Sequence, residues 1–207
     1  MQRRSFLASL GVSTAAVGGI GATATETRAQ SIVSELVFES SASLLDANGG
    51  ELTDDSLVTV YAEPTASNED GDRAGDAVVY SNGTPIPLAA VDGQVAGFGS
   101  QLVTNGTNFR AGNEEFLLNV WDDLIGGGTV LYDESHGSYN SLSDFSNMAN
   151  YASTQGSYTV TATQDLTADL SGADAVMITS PSSSFTSTEL SELSSFVSNG
   201  GVVLLHD

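Results

Sequence analysis

Cysteine and lysine are both missing from this 207-residue chain. Without cysteine there is no disulfide, no thiolate metal site and no cysteine nucleophile. Without lysine, the only cations are five arginines, set against 26 acidic residues, for a net charge of −21. Phosphate recognition needs Lys or Arg, so direct nucleic-acid binding by this segment is disfavoured unless a cation bridges the two. Anionic membranes are disfavoured for the same reason. A long hydrophobic run is missing too. The uncharged stretch from Leu7 to Ala24 is rich in Gly and Ala and too weakly apolar for a stable membrane span.

What is present begins at the N-terminus. Arg3 and Arg4 precede Ser5-Phe6-Leu7, the mildly apolar run follows, and Thr27-Arg28-Ala29 offers small residues for cleavage. This order is that of a twin-arginine signal peptide over residues 1–29, and it implies export of a folded protein to the cell surface or the medium. Removing that segment takes away Arg3, Arg4, Arg28 and Glu26. The remainder, about 178 residues, keeps 25 acids against Arg73 and Arg110. A charge near −23 repels itself in dilute buffer, and concentrated salt screens it, the Debye length being about 3 Å at 1 M. The composition resembles that of proteins from extremely halophilic archaea. Asn82-Gly83-Thr84 and Asn105-Gly106-Thr107 are glycosylation sequons in such an exported chain, which places Asn82 and Asn105 on surface loops.

Along the mature chain, Asp46 to Gly50 reads as a turn and Leu57 to Tyr61 as a strand. Residues 63–76 are acidic and poor in apolar side chains, and read as a solvated loop. Val78 to Tyr80 and Gln94 to Phe98 suggest further strands, with Gly97 and Gly99 marking a tight turn or a close backbone approach. A helix begins at Asn113, its expected N-cap. Phe116, Leu117, Val120, Trp121, Leu124 and Ile125 recur at helical spacing, and Gly126-Gly127-Gly128 stops them. Strand and helix then alternate: strand Thr129 to Tyr132, a helical stripe from Leu142 to Ala152, strands Tyr158 to Thr161 and Ala175 to Thr179, a helix, and strand Val202 to Leu205. The last helix opens on a Thr186/Glu189 capping box with an expected Phe185–Leu190 staple. It turns Leu190, Leu193, Phe196 and Val197 to the core. This alternation implies an α/β fold, an open and mostly parallel sheet with flanking helices and right-handed crossovers. A helix, a glycine run and a strand ending in acid occur twice, at 118–134 and 196–207, a weak internal echo. Asp207 directly follows a strand that would ordinarily need a covering helix, so the sheet reads as incomplete at its C-terminus and the chain as the front of a longer protein.

Both histidines fall at carboxyl ends of expected strands: His136 within Asp133-Glu134-Ser135-His136, and His206 beside Asp207. Ser180 and Ser182 follow the strand ending at Thr179. Ligands of open α/β sheets bind outside those ends, so Asp133, Glu134, His136, Ser180, His206 and Asp207 are candidates for one rim, provided their strands are neighbours. Three chemistries fit. Mixed His and carboxylate ligands suit a divalent metal such as zinc or manganese. The same residues could wall a polar pocket for a sugar or another small ligand, or they could cap loops and pair with helices. A metal-assisted hydrolase would use His136, Asp133 and His206. A Ser-His-Asp hydrolase lacks its Gly-x-Ser-x-Gly elbow. Asp54-Asp55 and the acidic run 68–72 lack the full spacing of a calcium loop.

The segments Thr-Val-Leu-Tyr-Asp-Glu-Ser-His-Gly (129–137), Ala-Asp-Ala-Val-Met-Ile-Thr-Ser-Pro (173–181), Phe-Thr-Ser-x-Glu-Leu (185–190) and Phe-Val-Ser-Asn-Gly-Gly-Val-Val-Leu-Leu-His-Asp (196–207) resemble the class I glutamine amidotransferase-like superfamily. They are most similar to its non-catalytic, secreted haloarchaeal branch. The stretches 95–100 and 113–120 are similar to the closing part of another such domain. The resemblance implies a flavodoxin-like sheet, a partial unit over residues 30–125 and a further, truncated one over 129–207. It also implies a role as a ligand- or protein-binding module at the front of an exported protein, in some members a nuclease. No nuclease motif is present. The amidotransferase nucleophile is a cysteine, so glutaminase activity is not implied. A cell-surface structural domain is the remaining class.

Overall fold

The computed structural model describes residues 35–70, 78–106, 109 and 111–207. Arg3, Arg4, Ala29, Arg73 and Arg110 lie outside these residues, as do the signal segment and part of the acidic loop.

Seven strands form one sheet in the order β1-β2-β3-β7-β6-β4-β5. They are β1 (Val58–Tyr61), β2 (Pro87–Asp92), β3 (Val95–Phe98), β4 (Gly128–Asp133), β5 (Tyr158–Thr163), β6 (Ala175–Thr179) and β7 (Val202–His206). β1, β2 and β3 form an antiparallel meander. From β3 through β7, β6 and β4 to β5 every pairing is parallel. The fold is therefore α/β with a mostly parallel open sheet. β3 pairs with β7, so the stretches 30–125 and 129–207 share a single sheet.

Among the described residues, four helices flank it: α1 (Asn113–Leu124), α2 (Ser146–Gln155, entered through a 3-10 turn at Leu142–Phe145), α3 (Leu166–Asp169) and α4 (Ser187–Ser198). Alternation along each strand divides the core. Val130, Tyr132, Met177, Val202 and Leu204 face α1 and α2, meeting Phe116, Trp121, Phe145 and Met148. Leu131, Val176, Ile178 and Val203 face α3 and α4, meeting Leu166, Leu170, Leu193 and Phe196. The period of two in a strand sends successive side chains to opposite helical layers. The two helix–glycine–strand echoes consequently lie on opposite faces, α1 leading into β4 and α4 into β7.

Several sequence expectations change in detail. Asn113 is not the N-cap of α1. That position is Gly112, in left-handed backbone with no side-chain cap. Asn113 is fully buried, and its amide donates to the carbonyls of Val37 (2.7 Å) and Leu102 (2.9 Å) and accepts from Val37 N (3.0 Å). Tertiary hydrogen bonding outcompetes the local cap. Val78–Tyr80 is not a strand. Tyr80 instead sends its hydroxyl to Leu44 O and receives Leu52 N. The Thr186/Glu189 capping box forms, but the staple does not. Phe185 stacks on His136 at 3.8 Å between centroids, and Leu190 is 55% exposed. No residue of α4 is fully buried. Gly99 marks a close approach, since a Cβ there would collide with the Ala42 carbonyl oxygen.

Candidate functional site

The strand order reverses at β4. The chain leaves β4 for the edge strand β5 through α2, then returns past β4 to β6 through α3 and on to β7 through α4. In open sheets, ligands settle at such a switch point, between the loops that leave β4 and β6. Here the protein fills that place with its own side chains. Asp133, fully buried, accepts from His136 Nδ1 at 2.7 Å, from Ser135 Oγ at 2.5 Å and from Ser135 N at 2.9 Å. On the other side of the ring, His136 Nε2 lies 3.4 Å from Glu189 Oε1. Phe185 covers the imidazole face. The amides of Ser182 and Ser183 both donate to the His136 carbonyl at 3.0 Å. One imidazole thus ties the end of β4 to the start of α4. Hydrogen bonds from Thr186 and the neighbouring imidazole hold the Glu189 carboxyl below its ordinary pKa, with Thr186 the larger cause.

Glu134 also works locally. Its two oxygens accept from Leu142 N and from Gln164 Nε2, each at 2.8 Å. Asp54 and Asp55 also bond locally. Asp54 accepts from Ser56 N and Oγ, and Asp55 accepts from the Tyr61 hydroxyl. Among the described residues, no three His, Asp or Glu side chains are grouped to hold a metal ion.

His206 belongs to the other face. β6 separates β7 from β4, and the His206 ring stacks on Phe98 at 4.5 Å in the layer beneath α1. Asp133 and His136 occupy the α4 layer. The two histidines that the sequence set at one edge are therefore held apart by the sheet itself. The reason is parity: Asp133 is one residue beyond Tyr132, which faces α1, whereas His206 is two residues beyond Leu204, which also faces α1. A single ion bound by His136, Asp133 and His206 is incompatible with this placement. His206 is 3% exposed, and neither ring nitrogen closes a hydrogen bond of normal geometry. Burial lowers its pKa to about 3, against a smaller opposing pull from the Ser100 backbone.

Ser180 and Asp207 meet elsewhere. Together with Glu39, Gln101, Tyr139 and Asn140 they wall an open crevice of about 720 Å³ at the carboxyl edge of β6 and β7. Ser180 holds a left-handed backbone (φ 35°), strained for a residue with a Cβ, and its amide donates to His206 O at 2.9 Å. Gln101 organises the wall. Its Nε2 donates to Ser180 Oγ at 3.1 Å, and its Oε1 accepts from Asn140 Nδ2. The Asn140 carbonyl in turn accepts the Tyr132 hydroxyl at 3.0 Å. Gln101, Asn140 and Tyr139 were not among the sequence candidates. Their loops hold no periodic pattern, and only the return of residues 100–106 over β6 brings them together. A further crevice of about 480 Å³ opens at the amino edge, beside Leu124, Leu170 and Phe196. It lies away from the strand ends where open sheets bind ligands. Comparison of this chain with protein-family models, curated proteins and solved structures finds no match.

Proposed function

We propose that this chain is a non-catalytic ligand-binding module, built into an exported, salt-adapted protein, and that its ligand is a small polar molecule held in the carboxyl-edge crevice. The crevice is the observation that carries this reading. Its volume falls within the range of small-molecule sites, and most of the residues that line it carry amides, hydroxyls or carboxylates. The Gln101 network sets those groups before any ligand arrives, which lowers the cost of binding. The alternative, a hydrolase centred on His136, is less favoured because both sides of the imidazole face carboxylates of the protein's own.

The amidotransferase-like ancestry, export through the twin-arginine route and a place at the front of a secreted nuclease belong to the same proposal. They rest on the sequence segments quoted above. Replacing Arg3 and Arg4 by lysine should hold the protein inside the cell, and secretion unchanged by that replacement would remove the export claim.

The crevice itself is tested by thermal melting in molar salt against a mixed set of polar small molecules. A ligand present at about one hundred times its Kd adds about 2.7 kcal/mol of stability. That gain should vanish in Gln101→Leu and persist in Glu192→Gln, which lies at the amino-edge crevice. Equal gains in both variants would refute the assignment.

A further inference from the structure

We infer that the ligand of the carboxyl-edge crevice is a neutral saccharide, with one sugar face lying on Tyr139. The inference rests on the crevice reading and names its ligand class.

The hydrogen-bonding capacity of the wall is uneven. Gln101 spends both ends of its amide internally, on Ser180 and Asn140. The Asn140 side-chain amide already donates to Gln101, and its oxygen remains as an acceptor. Ser180 Oγ has accepted from Gln101 and keeps its own proton to give. Asp207 adds a carboxylate that only accepts, and Asp144 adds another, one oxygen of which already accepts from Ser141 N and Oγ. Such a wall suits a ligand that donates several hydrogen bonds and bears no negative charge. Phosphorylated sugars, nucleotides and free carboxylic acids do not meet that condition.

Tyr139 supplies the second half of the argument. It is 86% exposed, the most open large hydrophobic side chain among the described residues, and it lines a crevice whose other residues are mostly polar. A pyranose offers one face of C–H groups to an aromatic ring and hydroxyl donors around its rim, the two features this crevice matches. A cationic amine is the rival chemistry, drawn by the carboxylates and by the tyrosine face. Salt separates the two. At the ionic strength to which the surface charge points, screening within about 3 Å removes most of the long-range attraction for a cation. Stacking and direct hydrogen bonds act at contact and survive.

The test is saturation-transfer NMR on the full chain in about 3 M KCl, repeated near 1 M. The probes are glucose, galactose, mannose, N-acetylglucosamine, maltose and cellobiose, with choline and spermidine as the amines. At least one saccharide should bind at both salt levels, with saturation strongest on the C–H protons of one ring face. Tyr139→Ala should weaken it roughly threefold to tenfold, the range expected of an aromatic stacking contact. Tyr139→Phe should leave it near the parent, and Asn140→Ala should weaken it. Tyr139 is exposed, so its replacement leaves the fold intact, which far-UV circular dichroism checks. Amine binding lost in Asn140→Ala, with no saccharide bound, would overturn the saccharide and leave the crevice reading standing. Saccharide binding indifferent to Tyr139→Ala would also overturn it. No binding by either class would remove both.

Discussion

His206 should make the protein acid-sensitive in a way that can be separated from its many carboxylates. Its ring is buried, stacked on Phe98 and without a hydrogen bond of normal geometry. Folding lowers its pKa from 6.5 to about 3 because the charged form loses its hydration. The unfolded chain therefore binds the proton more readily than the fold does. The stabilising effect of the neutral ring is complete above the unfolded value and is lost as pH falls through 6.5 towards 3. The whole shift corresponds to about 5 kcal/mol at roughly 1.4 kcal/mol per unit. Between pH 7 and pH 5, where the folded ring stays neutral, the loss is about 2 kcal/mol. His206→Phe preserves an aromatic ring against Phe98 and removes the titration. Urea unfolding followed by circular dichroism, in concentrated salt so that carboxylate repulsion is screened alike, should show the parent losing about 2 kcal/mol more than the variant over that range. Parallel pH profiles for the two proteins would refute the reasoning, because the ring would then be hydrated or charged in the fold.

Three further outcomes follow from the geometry. Asn113→Ala removes three hydrogen bonds that join α1 to Val37 and Leu102 and leaves buried backbone groups unpaired, for an expected cost of about 2 to 4 kcal/mol by chemical denaturation. Asp133→Asn should weaken the tie between β4 and α4, with hydrogen exchange at the Ser182 and Ser183 amides accelerating while exchange at the β2–β3 pairing is unchanged. Of the two sequons, Asn82 is exposed on a turn, whereas the Asn105 side chain donates to Ser143 O and Ser146 Oγ and accepts from Asn147 N. Intact-mass and peptide mapping of the native protein should accordingly find any glycan on Asn82, and a glycan on Asn105 would contradict the loop geometry.

Periodicity and punctuation were enough to read most of the parallel half. The all-buried run Ala175–Thr179, the glycine stop at 126–128 and the Thr186/Glu189 cap are local signals, written in neighbouring residues, and each matches the fold. The site was legible only in part. Ser180 and Asp207 could be placed at a strand edge by counting, yet their companions Gln101 and Asn140 come from loops whose approach is set by the β3–β7 pairing. Phe185 read as a staple because Leu190 is five residues on, but His136 offers its ring a flatter and better covered surface.

The amino-acid sequence by itself determined the strands of the parallel half, three of the helices beside them, the surfeit of acid and the absence of any thiol, because each follows from spacing or composition. Tertiary structure alone decided which strands are neighbours and which face each edge residue takes. One intervening strand and a single step of pleat send His136 and His206 to opposite layers, and no local pattern in the chain records either.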